Sequence, residues 1–173
     1  MSDCRPGALS RAARLRTPEQ FAATTGERAT WRATRQWLAA SARVEPQGAG
    51  LERPIAATVS SDRSEESVDH SALAFDLVSR PGGVRFGFTV SRRQARRAVQ
   101  RAMVKRVLRE AARSAAGTLN GLAGDARVDM VLRLRAPLPR RSEMSLSQVQ
   151  RTLRTEADSL IRQLARHLQA GAR

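Results

Sequence analysis

The chain is poor in several residue types. Among 173 residues it has one lysine, Lys105, one cysteine, Cys4, and no tyrosine. A single cysteine closes no intramolecular disulfide, which fits a reducing compartment. Aromatic side chains make up only 3% of the chain, so the core must be mostly aliphatic and few rings are left for stacking bases. No apolar run approaches the roughly 18 to 20 residues of a membrane span. The Arg-rich N-terminus lacks the apolar segment of a secretion signal. The two histidines, His70 and His167, stand apart, with no triad or metal-ligand spacing around them. No protein catalytic residue and no protein metal site is therefore expected. Asp125 and Asp129 are read as preceding a strand, as turn residues in preference to metal ligands.

Arginine is what the chain has in excess. Its 31 Lys+Arg outnumber 16 Asp+Glu and leave a net charge of +15. A domain this basic meets a polyanion, either nucleic acid or an anionic membrane. Arginine suits phosphate, because its planar fork grips two oxygens at once. The charge is also clustered. Residues 80–113 hold eleven basic residues and one acid, Glu110. These cations repel one another, and exposed charge adds little to stability in return.

The pattern along the chain predicts a basic disordered tail over 1–13 and one domain over 14–170, interrupted by an acidic disordered insertion at about 45–71. That insertion carries Glu45, Glu52, Asp62, Glu65, Glu66 and Asp69. A helix over 18–25 starts at the capping box of Thr17 and Gln20. In residues 30–44, Trp31, Trp37, Leu38 and Val44 suit a strand and the alanines suit a helix; a strand over about 34–43 is favoured. "ALAFDLVSR", "PGG" and "VRFGFTVS" read as strand, turn and strand, with Val84, Phe86, Phe88 and Val90 on the buried side. A basic helix over about 95–116 ends at Gly117, and a strand follows over 127–135. The last helix opens on the capping box of Ser145 and Gln148. Its core face is Leu146, Val149, Leu153, Leu160, Leu164 and Leu168. The order αβββαβα indicates an α/β (α+β) two-layer sandwich.

The basic helix is two-sided. On a helical wheel Met103, Val104, Val107, Leu108 and Ala111 share one sector, while Arg101, Lys105, Arg106, Arg109 and Arg113 share another. Ala98 and Ala102 fall inside the basic sector, where small residues admit a close approach. Glu110 is expected to pair with Arg106 at i,i+4 spacing or to offset neighbouring charge. A membrane-surface helix would need bulky anchors opposite the charge, which this stripe lacks. A plain solvated face is the alternative, and the degree of clustering favours phosphate binding.

The stretch "FGFTVSRRQARRAVQRAMVKRVLREAAR" resembles the signature of the bacterial ribonuclease P protein family. There a strand ending Val-Ser-Lys-Lys leads to Ala-Val-x-Arg-Asn-x-x-Lys-Arg-x-x-Arg-Glu. Val90, Ser91, Arg92 and Arg93 match the first part, and Ala98, Val99, Arg101, Lys105, Arg106, Arg109 and Glu110 the second. "RLRTPEQF" is similar to the family's first helix and "VDMVLRLR" to its last strand. Two positions depart: Ala102 stands where the family has Asn, and Thr25 where it often has an aromatic.

The resemblance implies a ribosomal-protein S5 domain 2-like fold, with a left-handed crossover through the basic helix. It implies the protein subunit of a cytoplasmic bacterial ribonucleoprotein endonuclease, in which an RNA with bound Mg2+ removes the 5′ leader of precursor tRNA. The partners would be the catalytic RNA and precursor tRNA, with no membrane and no required protein oligomer. Together with the charge pattern, it makes Arg92, Arg93, Arg97, Arg101, Lys105, Arg106, Arg109 and Arg113 the expected RNA-binding residues. Phe21 and Arg85 are expected in the leader cleft, and Arg92 and Arg93 are candidates there too. A non-enzymatic RNA-binding protein of ribosomal or assembly-factor type is the alternative.

Overall fold

A computed structural model describes residues 9–10, 12–46, 82–140 and 142–171. The chain enters through helix α1, Pro18–Thr25. The Thr17 hydroxyl accepts from the Gln20 backbone N–H, and the Gln20 side chain accepts from the Thr17 N–H, so both donors are satisfied as expected. The exposed Glu19 carboxylate in this first turn is held below its ordinary range, first by its own backbone N–H and then by Thr17.

The stretch expected to be one strand over 34–43 is instead a hairpin. Strand β1, Trp31–Thr34, pairs antiparallel with β2, Leu38–Glu45. The turn is fixed from a distance. The Glu156 carboxylate accepts from the backbone N–H groups of Trp37 and Leu38, each at 3.0 Å, and the Arg35 guanidinium donates to the Ser159 hydroxyl at 2.8 Å. Local pattern carries no trace of these anchors, which lie more than a hundred residues downstream. Glu45 closes β2 and pairs with Arg43, so it belongs to the sheet and not to the acidic insertion. The expected strand in 72–79 and most of the insertion lie outside the described residues.

Strand β3, Gly83–Thr89, lies parallel to β4, Arg127–Leu134, and β2 pairs antiparallel with the other edge of β4. The sheet order is β1-β2-β4-β3. Parallel neighbours need a crossover, and helix α2, Ala98–Ala123, provides it. Gly82 and Gly83 fit against the end of this crossover: a Cβ on Gly82 would lie 2.5 Å from the Asp125 carbonyl oxygen. The Gly83 N–H donates to the Ala126 carbonyl at 3.0 Å. Pro81, and with it the expected turn before β3, lies outside the described residues.

Helix α2 differs from the expected 95–116 at both ends. Residues 95–97 precede the helix, after a turn over 92–94, and Gly117 sits exposed within it. The helix runs on because its apolar stripe does: Leu119 and Ala123 are buried. It ends at Gly124, whose φ of 55° suits a residue without a Cβ. Helix α3, Leu146–Gly171, completes the fold, with its Ser145–Gln148 capping box formed.

Helices α2 and α3 cover one face of the sheet. Phe86, Met130, Leu132, Leu38 and Ala40 point at them, and Val104, Leu108, Leu153, Leu160 and Leu164 answer. Each of these Phe, Met, Leu and Val side chains contributes about 1.5–3 kcal/mol. The opposite face receives α1. Gly87 alternates with Phe86 and Phe88, and a Cβ on it would meet the Phe21 ring at 2.6 Å. Leu15, Ala39 and Val131 are buried on this side as well, outside the main core. The Arg32 guanidinium donates to the carbonyls of Thr25 and Gly26, tying the end of α1 to β1.

Candidate nucleic-acid interface

The apolar stripe of α2 is pressed into the core, and that orients its cations outward. Arg101, Lys105, Arg106 and Arg109 line one groove of about 760 Å3, and both small residues, Ala98 and Ala102, open into it. The wheel thus places four of the expected RNA-binding residues together, with the two alanines between them.

The other wall supplies a cation the sequence reading missed. Residues 13–15 run beside β3: the Leu15 N–H donates to the Phe86 carbonyl at 2.9 Å, and the Phe86 N–H to the Ala13 carbonyl at 3.0 Å. This edge contact aims Arg14 into the groove, where its guanidinium donates to the Leu9 carbonyl at 2.5 Å. A signal was present: Leu15, flanked by Arg14 and Arg16, is a short period-two alternation. Arg14 also lines a second groove of about 920 Å3, along with Arg16, Arg85 and Arg127.

The cations of the first groove are not equivalent. Arg101 donates to the carbonyls of Ala95 and Arg96 and is braced against the turn before α2. Of the two expectations for Glu110, the structure shows the second: it pairs with its neighbour Arg113 at i,i+3 and not with Arg106. Arg106 and Arg109 have no ion-pair partner among the described residues, so their forks face solvent.

The remaining expected residues are spread out. Arg92 and Arg93 are exposed in the turn before α2. Arg97 opens the other way, onto a small apolar groove between α2 and α3. Phe21 rests on Gly87, on the α1 face of the sheet. Arg85 shares that face, but its fork is engaged: Nε and Nη2 meet the Asp129 carboxylate at 2.7 and 2.5 Å. Asp129 is not a turn residue. It sits inside β4, buried, opposite Arg85 in the strand register, with Arg127 at 3.7 Å. Gly87 and Arg85 place Phe21 and this ion pair on one floor, beside the segment that carries Arg14 and Arg16.

His167 lies on α3, its ring 6.5 Å from that of Trp31, while His70 and Cys4 fall outside the described residues. Among the described residues no three His, Cys, Asp or Glu side chains gather as a metal site would need. No helix among them is long and apolar enough to cross a membrane.

A family model described as Ribonuclease P matches residues 9–163, most of the chain. The chain belongs to the ribonuclease P protein family. Comparison with curated proteins returns no match. Membership makes it a protein subunit of ribonuclease P, and so a component of an endoribonuclease complex of tRNA processing. The ribonuclease P match begins at Leu9, and so takes in the segment that places Arg14 beside α2. It also spans both grooves and the whole of α2.

Proposed function

We propose that this ribonuclease P subunit holds the catalytic RNA in the groove between α2 and the Arg14 segment, and the 5′ leader of precursor tRNA across the α1 face. The observation that carries this is the gathering of Arg14, Arg101, Lys105, Arg106 and Arg109 around one groove on a helix whose other side is core. A protein gains nothing in folding from such a cluster, whereas a phosphate backbone releases its counterions to it. In the leader path Phe21 offers a ring, and Arg92 and Arg93 offer exposed forks. Arg85, held by Asp129, supports the floor instead of reaching out.

Hydrolysis of the leader bond is assigned to the RNA, with Mg2+ bound on the RNA. A wall of arginines repels a divalent cation, so the groove suits the RNA's phosphates and not the metal. The same proposal carries the S5 domain 2-like left-handed crossover through α2, a single domain over 14–170 and a cytoplasmic bacterial setting. The test is reconstitution: purified protein, a bacterial ribonuclease P RNA and precursor tRNA at low magnesium. Leader removal should be stimulated strongly over RNA alone. No stimulation would overturn the proposed contacts with the catalytic RNA and the leader.

A further inference from the structure

Val99 is 78% exposed and Leu146 43%, and they are the two large hydrophobic side chains left in solvent among the described residues. They are not scattered. Both line one groove of about 240 Å3, between the first turns of α2 and α3, with Met103, Leu138, Met144 and Arg97 also in its lining. Val99 follows Ala98, which lines the phosphate groove. The first turn of α2 is therefore a ridge with cations on one side and an apolar slot on the other.

We propose that this slot takes an unstacked base of the catalytic RNA, a site that rests on the proposed function and adds to it. Three observations choose the occupant. The slot is smaller than the roughly 300–1,000 Å3 of a small-molecule site, so it suits one planar ring. Arg97 is part of its lining, which favours an occupant that brings negative charge with it. A base with its own phosphates meets both demands, apolar face to Val99 and Leu146 and phosphate to arginine. Third, Met103 and Met144 present soft, polarizable side chains that pack well against aromatic rings. A second copy of the chain is disfavoured, since a stable dimer buries about 800 Å2 per partner and two exposed side chains fall far short of that.

The two kinds of contact separate in salt. Phosphate contacts release counterions and change the slope of log affinity against log salt, whereas apolar burial changes affinity by a constant factor. The experiment measures binding of a bacterial ribonuclease P RNA transcript to the full chain across a KCl series. Val99→Ser, at an exposed site, should fold like the parent protein and bind about tenfold more weakly at every salt concentration, the worth of burying most of a valine side chain. Leu146→Ser should behave alike, and Arg109→Ala should change the slope. If Arg109→Ala changes the slope but Val99→Ser and Leu146→Ser bind like the parent, the base slot is wrong and the phosphate groove stands. If none of the three moves binding, the proposed function falls with it. A Val99→Ser effect that appears as a changed slope, or as loss of a dimer in light scattering with RNA affinity intact, also overturns the slot.

Discussion

The groove cations make a ranked prediction. Arg106 and Arg109 are exposed and make no ion pair with described residues, whereas Arg113 is already paired with Glu110. A phosphate can meet Arg109 at no cost to the protein, but it must draw Arg113 away from a carboxylate. Each phosphate neutralised contributes roughly 0.7–0.9 to the salt slope. Removing Arg109 should therefore flatten the slope by about that amount. Across a fourfold rise in salt, the deficit of Arg109→Ala should shrink about threefold. Arg106→Ala should match it, and Arg113→Ala should change the slope much less. The assay is equilibrium binding to the catalytic RNA, by anisotropy or filter retention, from low to moderate KCl at fixed magnesium. A deficit in Arg109→Ala that stays constant with salt would refute phosphate contact. An Arg113→Ala slope change as large as that of Arg109→Ala would refute the inference that Glu110 occupies Arg113.

The other predictions concern the floor of the α1 face and the anomaly on α2. Asp129→Ala takes the carboxylate from the partly buried Arg85 guanidinium, a loss of about 1.5–3 kcal/mol; urea unfolding reads it, and a loss below about 1 kcal/mol would contradict the pairing. Gly87→Ala drives a methyl into the Phe21 ring, which lies 2.6 Å from the added carbon, so α1 or the ring must move. A cost of about 1–3 kcal/mol should accompany weaker binding of precursor tRNA with a leader, but not of mature tRNA; an unchanged leader preference would remove Phe21 from the path. Ala102→Asn adds an amide in the cationic groove and should tighten RNA binding without altering the salt slope. Its melting temperature should fall slightly, since Asn is the poorer helix former by about 0.6 kcal/mol; weaker binding would show that the groove needs the space.

The elements read well from sequence are those whose cause is local. Both capping boxes form from residues three apart, and the alternation in β3 and β4 sorts Phe86 and Met130 inward and Arg133 outward without outside help. The two-sided character of α2 was legible for the same reason. What escaped depends on partners far along the chain. Glu156 pins the β1–β2 turn across about 118 residues, and no window over 30–44 contains it. Gly117 looked like a stop, but Leu119 and Ala123 keep the helix packed beyond it. Arg85 looked available for a ligand until the strand register set Asp129 opposite. Leu146 fits the apolar period of α3, yet it lies in the first turn, beyond the layer that would cover it. Period alone cannot say where a neighbour stops.

The same division explains how the fold carries its charge. Arg101, Lys105, Arg106 and Arg109 repel one another along three turns, yet Val104, Leu108, Ala111 and Ala112 on the opposite side are fully buried. Core packing holds the helix in place regardless of what its other side meets. Arg101 is braced where it meets the turn carbonyls, and Arg14 joins from a segment zipped onto β3. The backbone that carries the cations is already placed when an RNA arrives, and the repulsion it relieves is already present in the free protein. RNA binding should then stabilise the fold by more than contact area alone would suggest, because it removes a strain that the core has been holding all along.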